Sequence, residues 1–307
     1  MSVTVVGSLN EDVLIPVSRL PGRGETVVAA GFALAPGGKG ANQAAAAARL
    51  GPGVHMVGRV GDDAAGDRQL AALAEARVNV SRVLRTRGVA TGSATIPVEE
   101  GSGENLIVVL PGANARLTPE DADVDPVRRA DVVLLQLEVP LETVVAAAAA
   151  ASGTVVLTPA PPRPLPADLL ARVDVLVPNE PELVALARAR RGAREPAELV
   201  ALARRLTARP VVVTLGARGA LVVEEGAALL QAPPRVRPVD TTGAGDCFSG
   251  ALAQALAGGA GLAAAARYAV TAAALSTTGR GARGALPDDD AVGTLLPRTP
   301  AAVPVRP

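Results

Sequence analysis

Aromatic residues are almost absent from this sequence of 307 residues, which has no tryptophan, two phenylalanines and one tyrosine. Proteins that bind single-stranded nucleic acid stack the bases on aromatic side chains, so a binding surface of that kind is not expected. The charge balance gives no support for it either, because thirty basic residues match thirty acidic ones and no strongly basic surface is implied. We therefore expect no nucleic-acid partner.

Cysteine and long apolar runs are equally scarce. Cys247 is the only cysteine, which excludes an intrachain disulfide and suits a reducing compartment. The alanine-rich stretches at 144–151 and 263–275 are weakly apolar, and Arg267 and Tyr268 interrupt the second, so neither is typical of a membrane span. The first residues lack a basic segment followed by an apolar one, and no signal peptide is expected. These features predict a cytoplasmic protein without a membrane partner.

Lysine and histidine each occur once. A general bias toward arginine accounts for the other basic residues, but it does not explain why Lys39, within PGGKGANQ, remains lysine. A compact ammonium differs from a planar guanidinium in reach and hydrogen-bond geometry, so Lys39 is a candidate site residue. His55 lies within an apolar, strand-like run, which favours core packing over a role in a hydrolase triad.

Short β-branched runs alternate with alanine- and leucine-rich stretches along most of the chain. The runs with strand character span residues 3–7, 54–60, 131–138, 154–160, 174–179 and 210–216. The stretches with helical character span about 40–50, 64–76, 141–151, 181–190, 195–208, 243–257 and 261–277. Continuous apolar strands separated by helices indicate an α/β fold, in which helices cover both faces of a mostly parallel, doubly wound sheet in three layers.

Two stretches interrupt this alternation, at about 13–36 and 88–110, where strand-like segments occur without a long helix between them. They can form a small antiparallel sheet that projects from the main body as a lid, or they can be ordinary edge hairpins. Periodicity alone does not distinguish these two arrangements. Residues 297–307 are proline-rich and are expected to fray. We therefore predict a single α/β domain over residues 1–296, followed by a tail.

One acidic residue lies among glycines in VDTTGAGDCFSGAL, which spans residues 239–252. Apolar residues at helical spacing follow it, so Asp246 is expected in the first turn of a helix, where backbone N–H groups lack partners. Gly243 and Gly245, on either side of Ala244, have no Cβ and let a ligand approach those amides. Amides and helix dipole together suit a phosphoryl group, and the neighbouring carboxylate could take a proton from an attacking hydroxyl. The alternative is an ordinary acid favoured by the dipole.

A second glycine-rich motif, PGGKGANQAAAAARLG at 36–51, also leads into a helix. It is not a P-loop, because Gly40 follows the Gly-Lys pair where Ser or Thr is required. Asn42 falls near the start of that helix, where its amide could cap the helix or bind a ligand. Polar residues and glycines also follow several strands, where open parallel sheets bind ligands. These residues are Asn10, Asp12, Glu138, Asn179, Glu182, Thr214 and Gly216.

Another glycine pattern, GRGARG at 279–284, matches a dinucleotide-binding fingerprint only in its glycines. It follows a helical stretch, and no acidic residue lies about twenty positions further on. A dinucleotide fold is therefore not supported. A nucleophilic role for Cys247 is not favoured either, since nothing near it in the sequence would activate the thiol.

In chain order, these motifs resemble those of the ribokinase family of carbohydrate kinases, and the likeness extends to about Pro287. VVGSLNEDV resembles the opening strand and sugar-binding loop of that family, and PGGKGANQA resembles its first signature. GRVGDDAAG, GENLIVVLPGAN, LLQLE, PNEPE and TLGARG follow in family order. VDTTGAGDCFSGAL is similar to the second and most specific signature. The resemblance implies the family's three-layer α/β fold with a β-sheet lid. It also implies an ATP-dependent kinase that phosphorylates the primary hydroxyl of D-ribose to give ribose 5-phosphate.

The resemblance also implies roles for individual residues. Asp246 would be the general base, beside an anion hole made of the amides of Gly243, Ala244, Gly245 and Asp246. The sugar would be held by Asn10, Asp12, Gly38, Lys39, Asn42, Glu138 and Asp246. ATP would be contacted by Asn179, Thr214, Gly216, Gly219 and Gly245, with Mg²⁺ bound indirectly by Glu182.

The family also uses a monovalent cation, usually K⁺, beside the anion hole. By the same resemblance, its ligands would be Asp240, Thr242, Ser276, Gly279 and Gly281. Ala285 stands where family members often carry serine, so one ligand would be missing. The two irregular β stretches would form the lid, which in the family commonly pairs with its copy in a homodimer.

Two other functions remain open at this level. The first is a kinase for another small sugar or a nucleoside, although nucleoside kinases stack the base on aromatic rings and only Phe32 lies in the predicted lid. The second is a sugar-binding regulator that has lost catalysis, against which the intact Asp246 and Glu182 argue. Sugar-dependent release of ADP separates a kinase from a pure binder.

Overall fold

Two β-sheets organise the chain in the computed structural model, which describes residues 1–190, 192 and 194–305. Within that part of the chain the strands are β1 (Val3–Val6), β2 (Asn10–Val17), β3 (Ala33–Gly37), β4 (Val54–Gly61), β5 (Asn79–Thr86), β6 (Gly92–Glu99), β7 (Val108–Leu110), β8 (Val132–Leu135), β9 (Thr154–Leu157), β10 (Val175–Leu176), β11 (Val211–Thr214), β12 (Ala220–Glu224), β13 (Ala227–Gln231) and β14 (Val303–Pro304).

The larger sheet has ten strands in the order β14-β13-β12-β11-β10-β9-β8-β1-β4-β5. The strands from β11 to β5 pair in parallel, and β12, β13 and β14 extend the sheet antiparallel at one edge. From β1 the chain moves outward through β4 and β5, then returns to β8 and builds the other half. The predicted mostly parallel, doubly wound sheet is confirmed, with its switch point between β1 and β8. Ligands bind at such a point, outside the carboxyl ends of the strands.

Helices cover both faces of this sheet. In the described residues they are α1 (Lys39–Leu50), α2 (Ala64–Glu75), α3 (Pro119–Ala122), α4 (Asp125–Arg128), α5 (Leu141–Ala150), α6 (Ala167–Arg172), α7 (Glu180–Leu186), α8 (Pro196–Leu206), α9 (Ala244–Ala257), α10 (Leu262–Ser276) and α11 (Asp289–Leu295). Side chains of one strand alternate between the faces: Val132 and Leu134 pack with α1, α9 and α10, whereas Val133 and Leu135 pack with α5 and α8. The apolar side chains of both layers are removed from water, which is the main stabilising contribution.

Close packing of α1 against α9 matters most for function. A Cβ on Gly250 would lie 2.5 Å from the carbonyl oxygen of Gln43, so only glycine lets the two helices approach this closely. Most of the buried part of α1 is alanine, which also keeps the helices near one another. The first turn of α9, which carries Asp246, therefore lies beside the first turn of α1.

The second sheet has four strands in the order β3-β2-β6-β7. It resolves the two irregular stretches of the sequence into one separate sheet, here called the lid, rather than two independent hairpins. The expected antiparallel pairing is present between β2 and β3 and between β6 and β7, whereas β2 and β6 pair in parallel, with Asn10 opposite Gly92. The reason is that β2 and β6 follow β1 and β5, which are themselves parallel, so both enter the lid in the same direction.

Residues 297–305 of the C-terminal tail do not fray as expected, and residues 306 and 307 lie outside the described residues. Val303 pairs with Leu230, and the Val305 N–H donates to the Ala228 carbonyl at 2.8 Å. The Thr299 side chain is buried, and the Arg267 guanidinium donates to the Thr299 carbonyl at 2.6 Å. These contacts attach the described part of the tail to the sheet edge. Among the described residues, none of the helices is both long and apolar enough to cross a membrane.

Candidate active site

A cleft opens at the carboxyl ends of the central strands, where the first turns of α1, α7 and α9 converge. Its lining includes residues from four separate sequence motifs: Lys39, Asn179, Glu182, Thr214, Gly243, Gly245 and Asp246. These residues are far apart in the chain, and the fold brings them together because parallel strands end at the same edge of the sheet. Of the polar residues that follow strands, Asn179, Glu182 and Thr214 line this cleft.

Gly243 begins α9 in a conformation that other residues rarely adopt, with φ of 75°. A Cβ at this position would also lie 2.7 Å from the Cα of Ala282, so both the backbone angle and the available space require glycine. The Ala244 N–H donates to the Thr241 carbonyl at 3.2 Å. The described residues offer no such partner to the N–H groups of Gly245 and Asp246. The Gly243 N–H likewise has no such partner among the described residues, so three amides of the predicted anion hole, those of Gly243, Gly245 and Asp246, remain available to a ligand.

The Asp246 carboxylate lies at the base of the cleft, held by two amide side chains from α1. Asn42 Nδ2 donates to Oδ2 at 3.1 Å, and Gln43 Nε2 donates to Oδ1 at 3.0 Å. Burial raises the pKa of Asp246 above its ordinary value, and the nearby charge of Lys39 offsets part of that rise. The carboxylate is thus fixed in orientation and made a stronger base than an exposed aspartate.

Lys39 is the first residue of α1 and supplies positive charge to the cleft. Burial alone would lower the pKa of Lys39, but attraction to Asp246 and Glu138 outweighs it and the net shift is upward. Glu138 Oε2 accepts from Ser8 Oγ at 2.5 Å and from the Lys39 backbone N–H at 3.1 Å. The ammonium therefore stays protonated among carboxylates.

The preceding residue, Gly38, caps α1 with φ of 86°. A Cβ there would lie 2.7 Å from the Asn10 nitrogen, so glycine permits the β2 backbone to pass directly beside the start of α1. Asn10 is itself buried, and its Oδ1 accepts from Asn114 Nδ2 at 2.7 Å. Gly38 and Asn10, two of the predicted sugar-binding residues, are thus in close contact with one another at the start of β2, a strand of the lid.

Asp12 extends from β2 toward the same cleft. Burial raises the pKa of Asp12 to about 6, the charge of Glu138 adds to the rise, and that of Arg283 opposes it. The charge of Asp246 also contributes to the rise. Asp12 therefore lies close enough to sense the other charged groups of the cleft, as expected of a sugar-site residue.

Asn179 and Glu182 form a capping box at the start of α7. Asn179 Oδ1 accepts from the Glu182 N–H at 2.8 Å, and Glu182 Oε2 accepts from the Asn179 N–H at 2.8 Å. Burial raises the pKa of Glu182, and the charge of Lys39 counteracts part of that rise. These two residues therefore have a structural role as helix caps and also line the cleft, so capping and ligand contact are compatible here.

Thr214 ends β11 and is bridged to Asn179, since its N–H donates to the Pro178 carbonyl at 2.9 Å. Gly216 and Gly219 flank the short helical turn that follows, both with positive φ, of 58° and 90°. Of the residues predicted to contact ATP, Asn179, Thr214 and Gly245 line the cleft, and Gly216 and Gly219 lie in the turn that directly follows Thr214.

Asp240 joins two loops next to the first turn of α9. Its Oδ1 accepts from the Thr242 N–H at 2.9 Å, and its Oδ2 accepts from the Gly281 N–H at 2.8 Å. Although burial acts to raise the pKa of Asp240, these hydrogen bonds outweigh it and the net pKa is lowered, so the carboxylate remains charged. A Cβ on Gly279 would lie 2.7 Å from the Cβ of Ala285. Of the predicted cation ligands, Asp240, Thr242 and Gly281 are therefore neighbours, and Gly279 adjoins Ala285.

Among the described residues, no group of three or more His, Cys, Asp or Glu side chains is arranged to hold a metal. These residues therefore do not form a magnesium site from protein ligands alone. Mg²⁺ commonly keeps several waters and binds through one or two carboxylates together with substrate phosphates. Both Glu182 oxygens already accept hydrogen bonds from Asn179. The residues present therefore fit a Mg²⁺ ion that is contacted through water, and do not fit a closed protein cage.

The structure adds residues that the sequence did not single out. Gln43 orients Asp246, Ser8 orients Glu138, and Arg283 enters the cleft from the loop after α10 and donates from Nε to Asn42 Oδ1 at 2.8 Å. Ser8 and Gln43 lie within the motifs VVGSLNEDV and PGGKGANQA and could have been included on that basis. Cys247 packs in the core, where burial raises the pKa of its thiol to about 12, so the thiol stays protonated.

Comparison with known proteins gives one consistent result. Residues 1–289 match the pfkB family of carbohydrate kinases. The chain is 38% identical over 300 residues to the ribokinase of Bacillus subtilis, which covers 96% of this chain and 99% of that protein. It is 36% identical over 296 residues to a deoxyribokinase of Salmonella typhi, covering 94% of this chain and 96% of that one.

The fold agrees with solved structures of the same group. The structure of Arabidopsis thaliana ribokinase complexed with ribose and ATP superposes with a TM-score of 0.87 at 36% identity, covering 96% of this chain and 98% of that chain. That similarity includes the ten-stranded sheet, the helical layers and the lid, so the three-layer α/β fold with a small second sheet is confirmed.

Proposed function

The chain belongs to the pfkB family of carbohydrate kinases, and on that premise we propose that it transfers the γ-phosphoryl group of ATP to the primary hydroxyl of D-ribose. The observation that carries the proposal is the position of Asp246. It is a partly buried, oriented carboxylate at a helix N-terminus, next to amides available to a ligand. Relatives named as ribokinases at 35–38% identity support ribose as the substrate.

Asp246 is the general base of the proposed reaction. Its carboxylate takes the proton from the sugar hydroxyl as that oxygen forms a bond to the γ-phosphorus, while the bond between that phosphorus and the β–γ bridging oxygen breaks and ADP leaves. Asn42 and Gln43 hold the carboxylate oxygens in place by hydrogen bonds, so no side-chain rotation is needed at the moment of transfer. Positioned bases of this kind contribute typically ~10²–10⁴-fold to rate.

The first turn of α9 stabilises the transferred group. The amides of Gly245 and Asp246 and the positive end of the helix dipole provide fixed partial charges where negative charge is redistributed. Gly245 leaves space for close approach, since no heavy atom lies within 4 Å of a Cβ built at this position, apart from the neighbours within its own helix. Lys39 adds a full positive charge near the carboxylate, in the same cleft.

Mg²⁺ would neutralise phosphate charge when bound with the nucleotide, and Glu182 would hold it through water. Asn179, Thr214, Gly216 and Gly219 form the edge of the cleft that we assign to ATP. Asn10, Asp12, Gly38, Lys39, Asn42 and Glu138 form the end that we assign to the sugar. Residues 1–296 would constitute one kinase domain around this cleft, in the cytoplasm, where the unpaired cysteine is expected to remain reduced.

The test of the proposal is product formation. The protein is incubated with Mg–ATP and D-ribose, 2-deoxy-D-ribose, a hexose or adenosine, and the product is identified by phosphorus NMR. We expect ribose 5-phosphate and the highest kcat/KM for D-ribose. A sugar-independent release of ADP, or binding of ribose without any phosphorylated product, would contradict the assignment and favour a sugar-binding regulator.

A deoxyribose kinase is the second candidate. Its support is specific, because the Salmonella typhi deoxyribokinase is as similar to this chain, at 36% identity, as several of the ribokinases. A higher kcat/KM for 2-deoxy-D-ribose than for D-ribose in the same experiment would favour it.

We also propose that a second copy of this chain covers the lid. Exposed apolar side chains on and beside β3 and β7 leave a surface of the kind that marks protein–protein contacts. They are Phe32, Leu34, Ile107, Val108, Val109 and Leu110. Light scattering should give the mass of a dimer, and Val108→Lys should give a monomer that keeps nucleotide binding. A monomeric wild type at micromolar concentration would contradict the proposal.

A monovalent cation is the last part of the proposal. Asp240, Thr242, Ser276, Gly279 and Gly281 would hold it, and it would strengthen the positive potential at the first turn of α9. Ala285 lacks a hydroxyl that could complete the site. We therefore expect activation by K⁺ to be present but modest, which a comparison of rates in K⁺ and choline salts measures.

A further inference from the structure

Arg283 is a charged side chain of the cleft that the proposed reaction leaves without a role. It lies in the loop after α10, which passes over the start of α9 where Ala282 contacts the position of Gly243. From there the partly buried guanidinium crosses to α1 and to the end of β3. Its Nε donates to Asn42 Oδ1 at 2.8 Å, and its Nη2 donates to the Gly37 carbonyl at 3.3 Å.

The first of these hydrogen bonds decides how Asn42 is oriented. An amide side chain has one accepting oxygen and one donating nitrogen. Because Arg283 can only donate, Asn42 must present its oxygen to Arg283 and its nitrogen to Asp246, and Asn42 Nδ2 does donate to Asp246 Oδ2 at 3.1 Å. A flipped amide would place its NH₂ group against the guanidinium and its oxygen against the carboxylate. Both contacts would then be repulsive.

The charge of Arg283 suits the same position. The carboxylates that face it are Asp12 and Asp246, with Glu138 beside them, and Lys39 is the other cation of this cluster. Burial lowers the pKa of Arg283 to about 10, while Asp12 and Asp246 oppose that change. The side chain therefore remains charged under working conditions. Its Nη1 is buried without a partner among the described residues.

We propose that Arg283 is a positioning residue for phosphoryl transfer, which fixes the Asn42 amide so that it donates to the Asp246 carboxylate. The inference rests on the proposed function and deepens it by adding a chain of three side chains from the loop after α10 to the general base. Arginine suits this role because its planar fork can bind Asn42 and Gly37 together, which a lysine ammonium cannot do in the same geometry.

The test measures kcat and KM for D-ribose and for ATP in Arg283→Met and Arg283→Lys. Hydrogen bonds from a charged donor are about twice as strong as neutral ones, so we expect kcat/KM for ribose to fall by ~10–100-fold. The KM for ATP should change by about twofold or less, because the nucleotide edge of the cleft is not involved. Arg283→Lys should lose almost as much as Arg283→Met, since the charge is kept but the fork is lost.

A double-mutant cycle with Asn42→Ala identifies the path of the effect. If Arg283 acts through Asn42, Arg283→Met should cost about threefold or less in the Asn42→Ala background. Equal losses in both backgrounds, or near-normal activity of Arg283→Lys, would overturn the inference. The matched control is Arg237→Met, which removes an exposed arginine from the segment before Asp240 and should leave kcat and both KM values unchanged.

Folding and the proposed function are checked separately. Thermal unfolding and ADP binding of each variant show whether the protein is folded and the nucleotide site is intact. If Arg283→Met does not fold, the kinetics of Arg283→Lys are used instead. An inactive wild type would contradict the proposed function. An active wild type with unaffected Arg283 variants would contradict only the inference about Arg283.

Discussion

Replacement of Asp12 by asparagine should stabilise the protein at neutral pH while it weakens sugar binding. The folded state raises the pKa of Asp12 from an ordinary 3.8 to about 6, so ionisation of this carboxylate costs folding free energy above that pH. The shift corresponds to at most ~3 kcal/mol. Solvent reaches the cleft, which reduces the expected cost to about 1–2 kcal/mol. Asp12→Asn removes the charge, and no side-chain hydrogen bond of Asp12 is present among the described residues to be lost.

The raised pKa of Asp12 determines how the difference in stability between the two proteins should change with pH. A carboxyl group with a raised pKa in the folded state contributes stability that is present below 3.8 and is lost as the pH rises through about 6. The variant lacks this loss, so its stability advantage over wild type should grow between these two values and remain constant above pH ~7. Titrating groups that do not interact with Asp12 cancel in the difference, whereas Glu138, Asp246 and Arg283 interact with it and contribute to the difference.

Urea unfolding of wild type and Asp12→Asn between pH 5 and 8 measures this difference. The control is Glu225→Gln, which replaces an exposed acid in the β12–β13 turn. The free energy of unfolding of the control should differ from wild type equally at every pH. Lower stability of Asp12→Asn at pH 8, or an advantage that does not vary with pH, would refute the reasoning. Loss of ribose affinity in the more stable variant would show that Asp12 is kept for sugar binding although its charge destabilises the fold.

Three further predictions follow from local geometry. Gly243→Ala should destabilise the protein by ~1–2 kcal/mol and lower kcat, because the new Cβ meets Ala282 at 2.7 Å; unchanged unfolding and turnover would contradict this. Cys247 should resist thiol reagents in the native protein and react only after unfolding, since burial raises its pKa to about 12; rapid labelling without denaturant would show otherwise. Ala285→Ser should increase the ratio of activity in K⁺ to that in choline, and an unchanged ratio would remove residue 285 from the cation site.

The central fold was predictable because its strands are short, buried and apolar on both faces. The runs at 3–7 and 210–216, for example, correspond to Val3–Val6 and Val211–Thr214. β5 was missed because polar residues occupy five of its eight positions, and its pattern resembles a solvated loop. The antiparallel edge was missed for a different reason, since the attachment of β14 depends on contacts with β13 more than seventy residues earlier in the chain.

The site was predictable to the extent that it lies in glycine-rich motifs at strand ends. Lys39, Asp246 and Glu182 line one cleft, as the sequence indicated. Arg283 was not predictable, since its partner Asn42 is 241 residues away. Its own motif, GRGARG, matched a dinucleotide-binding fingerprint only in its glycines. Gln43 lies in an alanine-rich helical stretch, and its contact with Asp246 depends on the close approach of α1 and α9 at Gly250.

Turnover by Asp246→Asn is the most direct test of the account. Asparagine keeps the size of the side chain but cannot accept the hydroxyl proton, so kcat with D-ribose should fall by ~10²–10⁴-fold. ADP binding should remain close to wild type, and thermal stability should change little, because removal of the charge offsets the loss of one of the two hydrogen bonds from Asn42 and Gln43. Near-normal turnover by a folded, nucleotide-binding Asp246→Asn protein would contradict the claim that this carboxylate activates the sugar.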